Sequence, residues 1–378
     1  MKKDSKITIK QILSEYSKSL RGYKTLFILS ISFTIISSII GVYIPYLYKN
    51  FFNIINGDGL KEDIARQLIS VIFVIAGLNI LDWLFNRSGY FIFNYVESTV
   101  MSKIKQNSFS YLIRHSYNFF NNNFTGSLVQ KINRQSRAFE RLFDTLIFNF
   151  ISLVITIIGA ILITFFTSKV LSLIILCWVT LYFAFSFIFY RWKMKFDLEA
   201  SASDSETTAL LSDNISNSQT ISLFNSYKKE TDSYKVATDK QAKAMLKTWT
   251  YGGVYDSLQI FGICIAEFVI FYYAIKYWEI NKITIGGIVM IQIYVISLTR
   301  QIWAINMILR NVFESLADSK QMTEIMLTPH EIEDSNSATD LKISKGEIEF
   351  KNVIFNFNET RTVLNNINCL IKSGEKIA

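Results

Sequence analysis

Long uncharged apolar runs alternate along this chain with charged, helix-permissive stretches. The first runs from Thr25 to Tyr48, bounded by Lys24 and Lys49, and others cover about 67–96, 145–168, 170–190, 251–275 and 283–309. Each approaches or exceeds the roughly 20 residues that a helix rising 1.5 Å per residue needs to cross a ~30 Å hydrocarbon layer. Six membrane spans are therefore predicted. Only Lys169 and its polar neighbours Thr167 and Ser168 separate spans three and four, which predicts a tight hairpin. The first run is too long for a signal-peptide core and lacks a small-residue cleavage site, so it is read as a span of the mature protein.

The connections are unequal. Those after spans two and four run to roughly 48 and 60 residues, and the rest are short. Each long connection is helix-permissive apart from one central break, Asn121–Gly126 in the first and Ser212–Ser218 in the second. Clustered Asn, Ser and Gly disfavour helix and mark turns, so two helical hairpins reaching ~30 Å beyond the membrane are predicted. Lys and Arg gather in these connections and ahead of span one. Basic loops stay on the cytoplasmic side, so both termini and both hairpins are expected there, in a multi-pass protein of the plasma membrane.

Ahead of the first span, Ile7, Ile9, Ile12, Leu13, Tyr16 and Leu20 alternate with Lys10, Glu15, Lys18 and Arg21 at helical spacing. Residues 1–23 are accordingly read as an amphipathic elbow in the inner interface, and 24–315 as the membrane domain. A linker is expected over 316–345, with Pro329 closing an amphipathic helix. Over 346–378 the period changes to that of a strand: Ile348, Phe350, Val353, Phe355 and Phe357 alternate, with one extra residue at Lys351–Asn352 predicting a bulge. Val363, Leu364, Ile367, Leu370 and Ile371 continue the apolar pattern, Ser373–Gly374 predicts a turn, and Lys376–Ala378 the opening of a further strand.

Composition agrees with an all-α membrane protein: half the residues are apolar, 15% aromatic and 19% charged. The net charge of +8 is spread over the span flanks and does not form a basic tract with interleaved aromatics, so nucleic acid is not expected as a partner. Cys177, Cys264 and Cys369 are scattered, and His115 and His330 lie far apart in sequence. Neither a disulfide framework nor a metal centre is expected.

Charges at membrane depth usually face a bundle interior or a watery cavity. Asp82 and Arg87 interrupt span two, where Asn79, Asp82 and Asn86 share one helical stripe. Asp256 and Glu267, three turns apart, point nearly the same way in span five. Arg300 in span six lies at a depth similar to Asp82 and Asp256, so it is expected to pair with one of them. Asn79, Asp82, Asn86, Asp256, Glu267 and Arg300 thus form a candidate cargo wall suited to an amphipathic or cationic molecule. Snorkelling or a structural ion pair near the inner boundary is the other reading. Span aromatics such as Phe148, Phe165 and Phe183 are expected to face lipid or neighbouring helices.

Six spans with two long hairpins, together with the terminal stretch, resemble a half-transporter of the ATP-binding cassette (ABC) exporters with a type-1 membrane domain. Gly346-Glu-Ile-Glu-Phe-Lys-Asn-Val-Ile-Phe-Asn-Phe357, Val363-Leu-Asn-Asn-Ile-Asn and Gly374-Glu-Lys-Ile-Ala378 are similar to the opening of that family's nucleotide-binding domain. His115-Ser-Tyr-Asn-Phe-Phe120 with Gly126-Ser-Leu-Val-Gln-Lys-Ile-Asn133 is similar to the stretch around its first coupling helix, and Gln219-Thr-Ile-Ser-Leu-Phe224 to the segment after the second. Gln135 departs from the pattern, since many members have Asp there.

The resemblance implies a six-helix type-1 fold, a second half-transporter (identical or not), an ATPase domain in the same protein or supplied separately, surrounding membrane lipid, and ATP with Mg. It implies export of a peptide, lipid or drug-like cargo by alternating access. It places Phe357 where an aromatic ring stacks on adenine. It assigns coupling to about 116–126 and 212–220, with Tyr117, Asn118, Phe119, Phe120, Asn214 and Ser216 receiving the motion. The phosphate-cradling G-x-x-x-x-G-K-[ST] loop does not occur in these residues and by resemblance would follow Ala378. The chain as read is therefore expected neither to bind ATP and Mg well nor to hydrolyse ATP by itself. A non-catalytic membrane scaffold, or the inactive product of an interrupted gene, is the alternative. A proton-driven carrier using Asp256 and Glu267 is disfavoured, because no inverted repeat is visible and the long stalks would have no use.

Overall fold

The computed structural model of the chain describes residues 7–57, 59–333, 335, 337–343, 346–358 and 361–377, except for the side chains of Asn306, Phe357, Asn358 and Arg361. The expected adenine-stacking ring of Phe357 thus lies outside the described residues. The chain divides into two units, one of Met1–Arg114 with Phe120–Thr328 and one of His115–Phe119 with Pro329–Ala378.

The first unit is a helical bundle. Its elbow helix α1 (Ile9–Ser19) opens on a capping box, in which the Thr8 side chain accepts the Gln11 N–H and the Gln11 side chain accepts the Thr8 N–H. The membrane helices are α2 (Lys24–Ile55), α3 (Lys61–Leu112), α5 (Thr125–Asp144) running through a π-helical turn (Thr145–Phe150) into α6 (Ile151–Thr167), α7 (Lys169–Ser216), α9 (Tyr227–Glu279) and α10 (Ile285–Met326). All six passages are long and apolar enough to span a bilayer. Helices α3, α7 and α9 hold 52, 48 and 53 residues. At 1.5 Å per residue they run to ~70–80 Å, more than twice the hydrocarbon thickness, so each continues out of the membrane as one rod. In lipid every backbone N–H and C=O must be satisfied within the segment, which favours such unbroken helices.

Short helices turn the chain at the far ends of these rods: α4 (Tyr117–Asn121) after α3, and α8 (Ser218–Leu223) between α7 and α9. The first break falls where the Asn-rich cluster predicts it. The second is narrower than expected, since α7 stays helical through Ser216 and only Asn217 interrupts it. Asn214 and Ser216 therefore belong to the last turn of a long helix. Three neighbouring turns of helix outweigh the weak individual preferences of Ser and Asn. Between α6 and α7 a single extended residue, Ser168, makes the predicted tight hairpin.

Helices α2 and α3 pack through small residues. Ser30, Thr34 and Ser37 form a buried stripe on α2, and Gly89 of α3 sits so close that a β-carbon would lie 3.3 Å from the Ser30 carbonyl oxygen. Further toward the outer end, Tyr294 of α10 is buried and donates its hydroxyl to the Val42 carbonyl at 2.8 Å. Gly286 donates its N–H to Asn53 at 3.1 Å. Around these contacts Val42, Ile175, Ile270, Ile291 and Leu298 form one apolar core.

In the second unit, β1 (Ile348–Asn358) pairs antiparallel with β2 (Arg361–Ile371), with Ile348 opposite Ile371 and Phe350 opposite Cys369. The register shifts between Phe350 and Val353, where Asn352 adopts φ +49° and gives its N–H to the Asn368 side chain at 2.8 Å. This is the predicted bulge. Gly374, at φ +80°, makes the predicted turn. Lys376 and Ile377 do not form a strand, because among the described residues no third strand lies beside them.

A methyl group at Gly286 would overlap the Lys49 carbonyl and the Asn53 side chain, whereas at Gly253, within α9, it would meet nothing. Gly286→Ala should destabilise the bundle by about 1–3 kcal/mol. Gly253→Ala should be neutral or stabilising by up to ~1 kcal/mol. Thermal unfolding of the two variants in one detergent checks the contrast.

Candidate functional site

The chemically richest region lies where α5 enters the membrane. Leu128, Gln135, Ala138, Phe139 and Leu142 bury one face of α5, leaving Arg134, Arg137 and Arg141 on the opposite face at i, i+3 and i+7. The π-helical turn follows at once and shifts the register of what comes next, a feature frequent at functional sites. The three arginines line an open cavity of about 610 Å³ with the carboxylates of Glu140, Asp144 and Asp318 and the polar side chains of Thr145, Asn149 and Asn311.

Arg141 is committed to structure. Its guanidinium forks onto Glu314 and Asp318 of α10, each at 2.7 Å. Arg134 and Arg137 are exposed at the rim and form no ion pair among the described residues. Asn311 donates to Thr145 at 3.2 Å across the cavity wall. The cavity thus offers two uncommitted guanidinium groups beside carboxylates and amides, a setting for a polar molecule with anionic groups.

Behind the cavity a buried polar junction joins four helices. The Tyr16 hydroxyl of α1 reaches the Gln135 carbonyl of α5 at 3.1 Å and contacts Ser319 of α10. Ser108 of α3 donates to Gln135 Oε1 at 2.8 Å. Burial pushes the Tyr16 phenol up to about 12, so it stays protonated and can donate. Gln135 is only 2% exposed, and its side-chain amide accepts the Ser108 hydroxyl without the cost of a buried carboxylate.

The expected cargo wall is not assembled as one surface. Asp82 turns toward α2 and accepts the Ser37 hydroxyl at 2.5 Å. Asn79 bonds back to the Ile75 carbonyl of its own helix, and Asn86 is exposed. Glu267 is half-buried and accepts from Gln292 of α10 at 3.3 Å, while Asp256 is exposed. Arg300 pairs with neither Asp82 nor Asp256 among the described ion pairs. Depth alone misled here: Ile291, Tyr294, Leu298, Ile302 and Ile305 form the buried stripe of α10, and Arg300 stands midway between Leu298 and Ile302, about 200° round the helix.

At the hairpin tips, Tyr117 and Leu223 are 80% and 84% exposed. Asn118, Phe119 and Phe120 lie on α4 beside Tyr117, and Asn214 and Ser216 precede α8. The two histidines, expected to be unrelated, meet in the second unit. Their ring centroids are 4.6 Å apart, His115 stacks on Phe119 at 4.1 Å, and Ser116 hydrogen-bonds Glu331.

The family profile described as "ABC transporter transmembrane region" matches residues 27–302. The chain belongs to this family. Among curated proteins this ABC membrane domain is similar to the mitochondrial iron-sulfur clusters transporter ATM1 of Gibberella zeae, 25% identical over 94% of the chain and 52% of that protein. The namesake of Debaryomyces hansenii is 23% identical over 99% of the chain and 55% of its length. The ATM1-type heavy metal exporter of Novosphingobium aromaticivorans is 21% identical over 89% and 55%. The chain thus spans about half the length of these relatives. Its fold is that of a bacterial Atm1-family ABC exporter solved with ATP bound, with a TM-score of 0.65, 20% identity, and coverage of 94% of this chain and 61% of that one. The plasma-membrane location expected from the sequence is corrected by the fungal relatives, which are named as mitochondrial. A Lys/Arg bias records which side of a bilayer a loop stays on and carries no label for which bilayer.

Burial, and then the neighbouring His330, lower the His115 pKa below its ordinary 6.5, partly offset by Glu331. The folded contact therefore favours neutral His115. Its contribution should be complete above about pH 6.5 and decline as pH falls through and below that value. Protection factors over residues 114–119, taken relative to the intrinsic exchange rate at each pH, should fall between pH 7.5 and 5.5, and His115→Gln should flatten that dependence.

Proposed function

We propose that this chain is the membrane-spanning half of an ATP-driven exporter of the Atm1 type, and that its cargo is a charged, sulfur- or metal-bearing species and not a peptide, lipid or drug. The observation that carries this reading is the end-to-end similarity to iron-sulfur cluster and heavy-metal exporters, which covers 89–99% of the chain. The cavity supports it from the chemical side. Arg134 and Arg137 present donors to anionic groups, and Glu140 and Asp144 present acceptors to cationic ones. Among the described residues no group of three or more His, Cys, Asp or Glu side chains is placed to hold a metal ion. A metal would accordingly travel within its own anionic ligands, which the cavity grips, and not as a bare ion.

In this reading a second half-transporter completes the pathway and ATPase domains dock on α4 and α8. The exposed Tyr117 and Leu223 give those short helices an apolar contact surface. Closure of the ATPase domains around ATP moves the tips, and the rods α3, α7 and α9 carry the displacement to the membrane. The buried junction at Tyr16, Gln135 and Ser319 lets the elbow, α3, α5 and α10 move together.

In a complete transporter containing this membrane half, thiol-ligated metal complexes should stimulate ATP hydrolysis, and apolar peptides should not. Arg137→Gln should raise the complex concentration for half-maximal stimulation about tenfold, the loss of one charge-assisted hydrogen bond of ~1.5 kcal/mol. Equal stimulation by apolar peptides, or an unchanged half-maximal concentration, would count against the cargo assignment.

A further inference from the structure

Where α7 and α9 leave the membrane, a basic and aromatic cluster has no role in the reading above. The apolar run of α7 ends at Tyr190 and that of α9 begins at Tyr251, so 191–196 and 247–251 lie at the hydrocarbon boundary on the side of the helical extensions. The Phe196 ring is the centre of the cluster. The ammonium groups of Lys195 and Lys247 each lie 4.7 Å from its centroid, one from α7 and one from α9. Tyr251 packs on Phe196 with centroids 4.5 Å apart, and Trp192 packs edge-on against Tyr251 at 4.9 Å. Thr248 donates to the Phe196 carbonyl at 3.1 Å, holding the two helices in register.

The charges divide unevenly. Lys193 is spent on Asp197 at 2.6 Å. Lys247 has only Glu199 at 3.5 Å, and both of those side chains are exposed. Lys195 and Arg191 form no ion pair among the described residues, and Arg191 lies over the Phe187 ring. The first turns beyond the apolar run are therefore net positive, and the acids Asp197 and Glu199 come only after them. Aromatic rings with a polar edge favour the headgroup level, and basic groups there attract anionic lipid. Exposed Trp192 and Trp249 flank the cluster.

We propose that Lys195 and Lys247, poised over Phe196 beside Trp192, form a binding site for the headgroup of an anionic phospholipid in the leaflet nearest the helical extensions. The phosphate sits between the two ammonium groups, and the acyl chains run along α7 beside Trp192. Bound lipid then bridges α7 and α9 at the level where they enter the membrane.

Tryptophan quenching tests this on the purified full chain in micelles doped with brominated phosphatidylglycerol or brominated phosphatidylcholine. The anionic lipid should quench a component of fluorescence that Trp192→Phe removes. Lys195→Gln with Lys247→Gln should raise the required lipid concentration about twenty-five-fold, at about a factor of five per lysine. Lys195→Gln alone, a single exposed change that spares the fold, should raise it about fivefold. Phosphatidylcholine should show neither shift, and millimolar inorganic phosphate should not compete. Equal quenching by the two lipids, indifference to the lysine changes, or displacement by free phosphate would overturn the proposal. So would a disulfide between two copies through Leu198→Cys that abolishes the anionic-lipid signal seen in the same variant when reduced, since a second copy of the chain would then cover this face.

Discussion

The bundle depends on a buried amide. Gln135 sits where the elbow, α3, α5 and α10 cross near the inner boundary, and its side chain and carbonyl accept hydroxyls from Ser108 and Tyr16. A group so placed must be satisfied, because removing one partner of a buried polar pair costs ~1–3 kcal/mol. Satisfied, it fixes the rotation of α5 about its own axis. That rotation decides which α5 side chains reach the cavity. With Leu128, Phe139 and Leu142 turned inward, Arg134 and Arg137 are carried to the rim and Arg141 to α10. The elbow is thus part of the mechanism for orienting the site, although it touches no candidate cargo group itself.

The same constraint accounts for the division of labour among the charges. Arg141 is held by two carboxylates on α10, and at partial exposure such a pair contributes ~1 kcal/mol at most. Its value is geometric: it holds α5 and α10 together at the cavity wall, so Thr145 and Asn311 can bond across it. Arg134 and Arg137, lacking a carboxylate of their own among the described ion pairs, remain available. The opposite end of the bundle is closed by different physics. There Gly286 against Lys49 and Tyr294 on the Val42 carbonyl bring α2 and α10 into contact through small residues and one hydroxyl. An outer end held by close packing and an inner end held by hydrogen bonds and ion pairs respond differently to force, since polar contacts can exchange with water and packed backbones cannot.

What the sequence made legible follows from how each signal is encoded. Spans, the Ser168 hairpin, the elbow and the bulge at Asn352 are local patterns, fixed by residues within one or two turns of each other, and all appear in the structure. The cargo wall is not a local pattern, because assembling it requires knowing how six helices rotate against one another. Asp82 shares a helical stripe with Asn79 and Asn86, yet the neighbour that satisfies it is Ser37 of α2, whose stripe with Ser30 and Thr34 is a packing face. Depth alone does not fix the direction in which Arg300 points. The meeting of His115 with His330, 215 residues apart, had no local signal at all.

The arginine face of α5 was missed for a different reason. Arg134, Arg137 and Arg141 lie in a basic connection, and a basic residue near a span has two meanings that sequence alone does not separate. Some hold the loop on its side of the bilayer, and some line a site. Lys195 and Lys247 belong to the first class by position and Arg134 and Arg137 to the second, and both pairs carry the same charge near the same boundary. The distinction lies in what stands opposite. Around Phe196 the lysines face aromatic rings and open surface, which suits a lipid headgroup, whereas the arginines of α5 share an open polar cavity with Thr145, Asn149 and Asn311. One set of charges therefore suits the membrane surface, and the other suits a polar molecule held against α5.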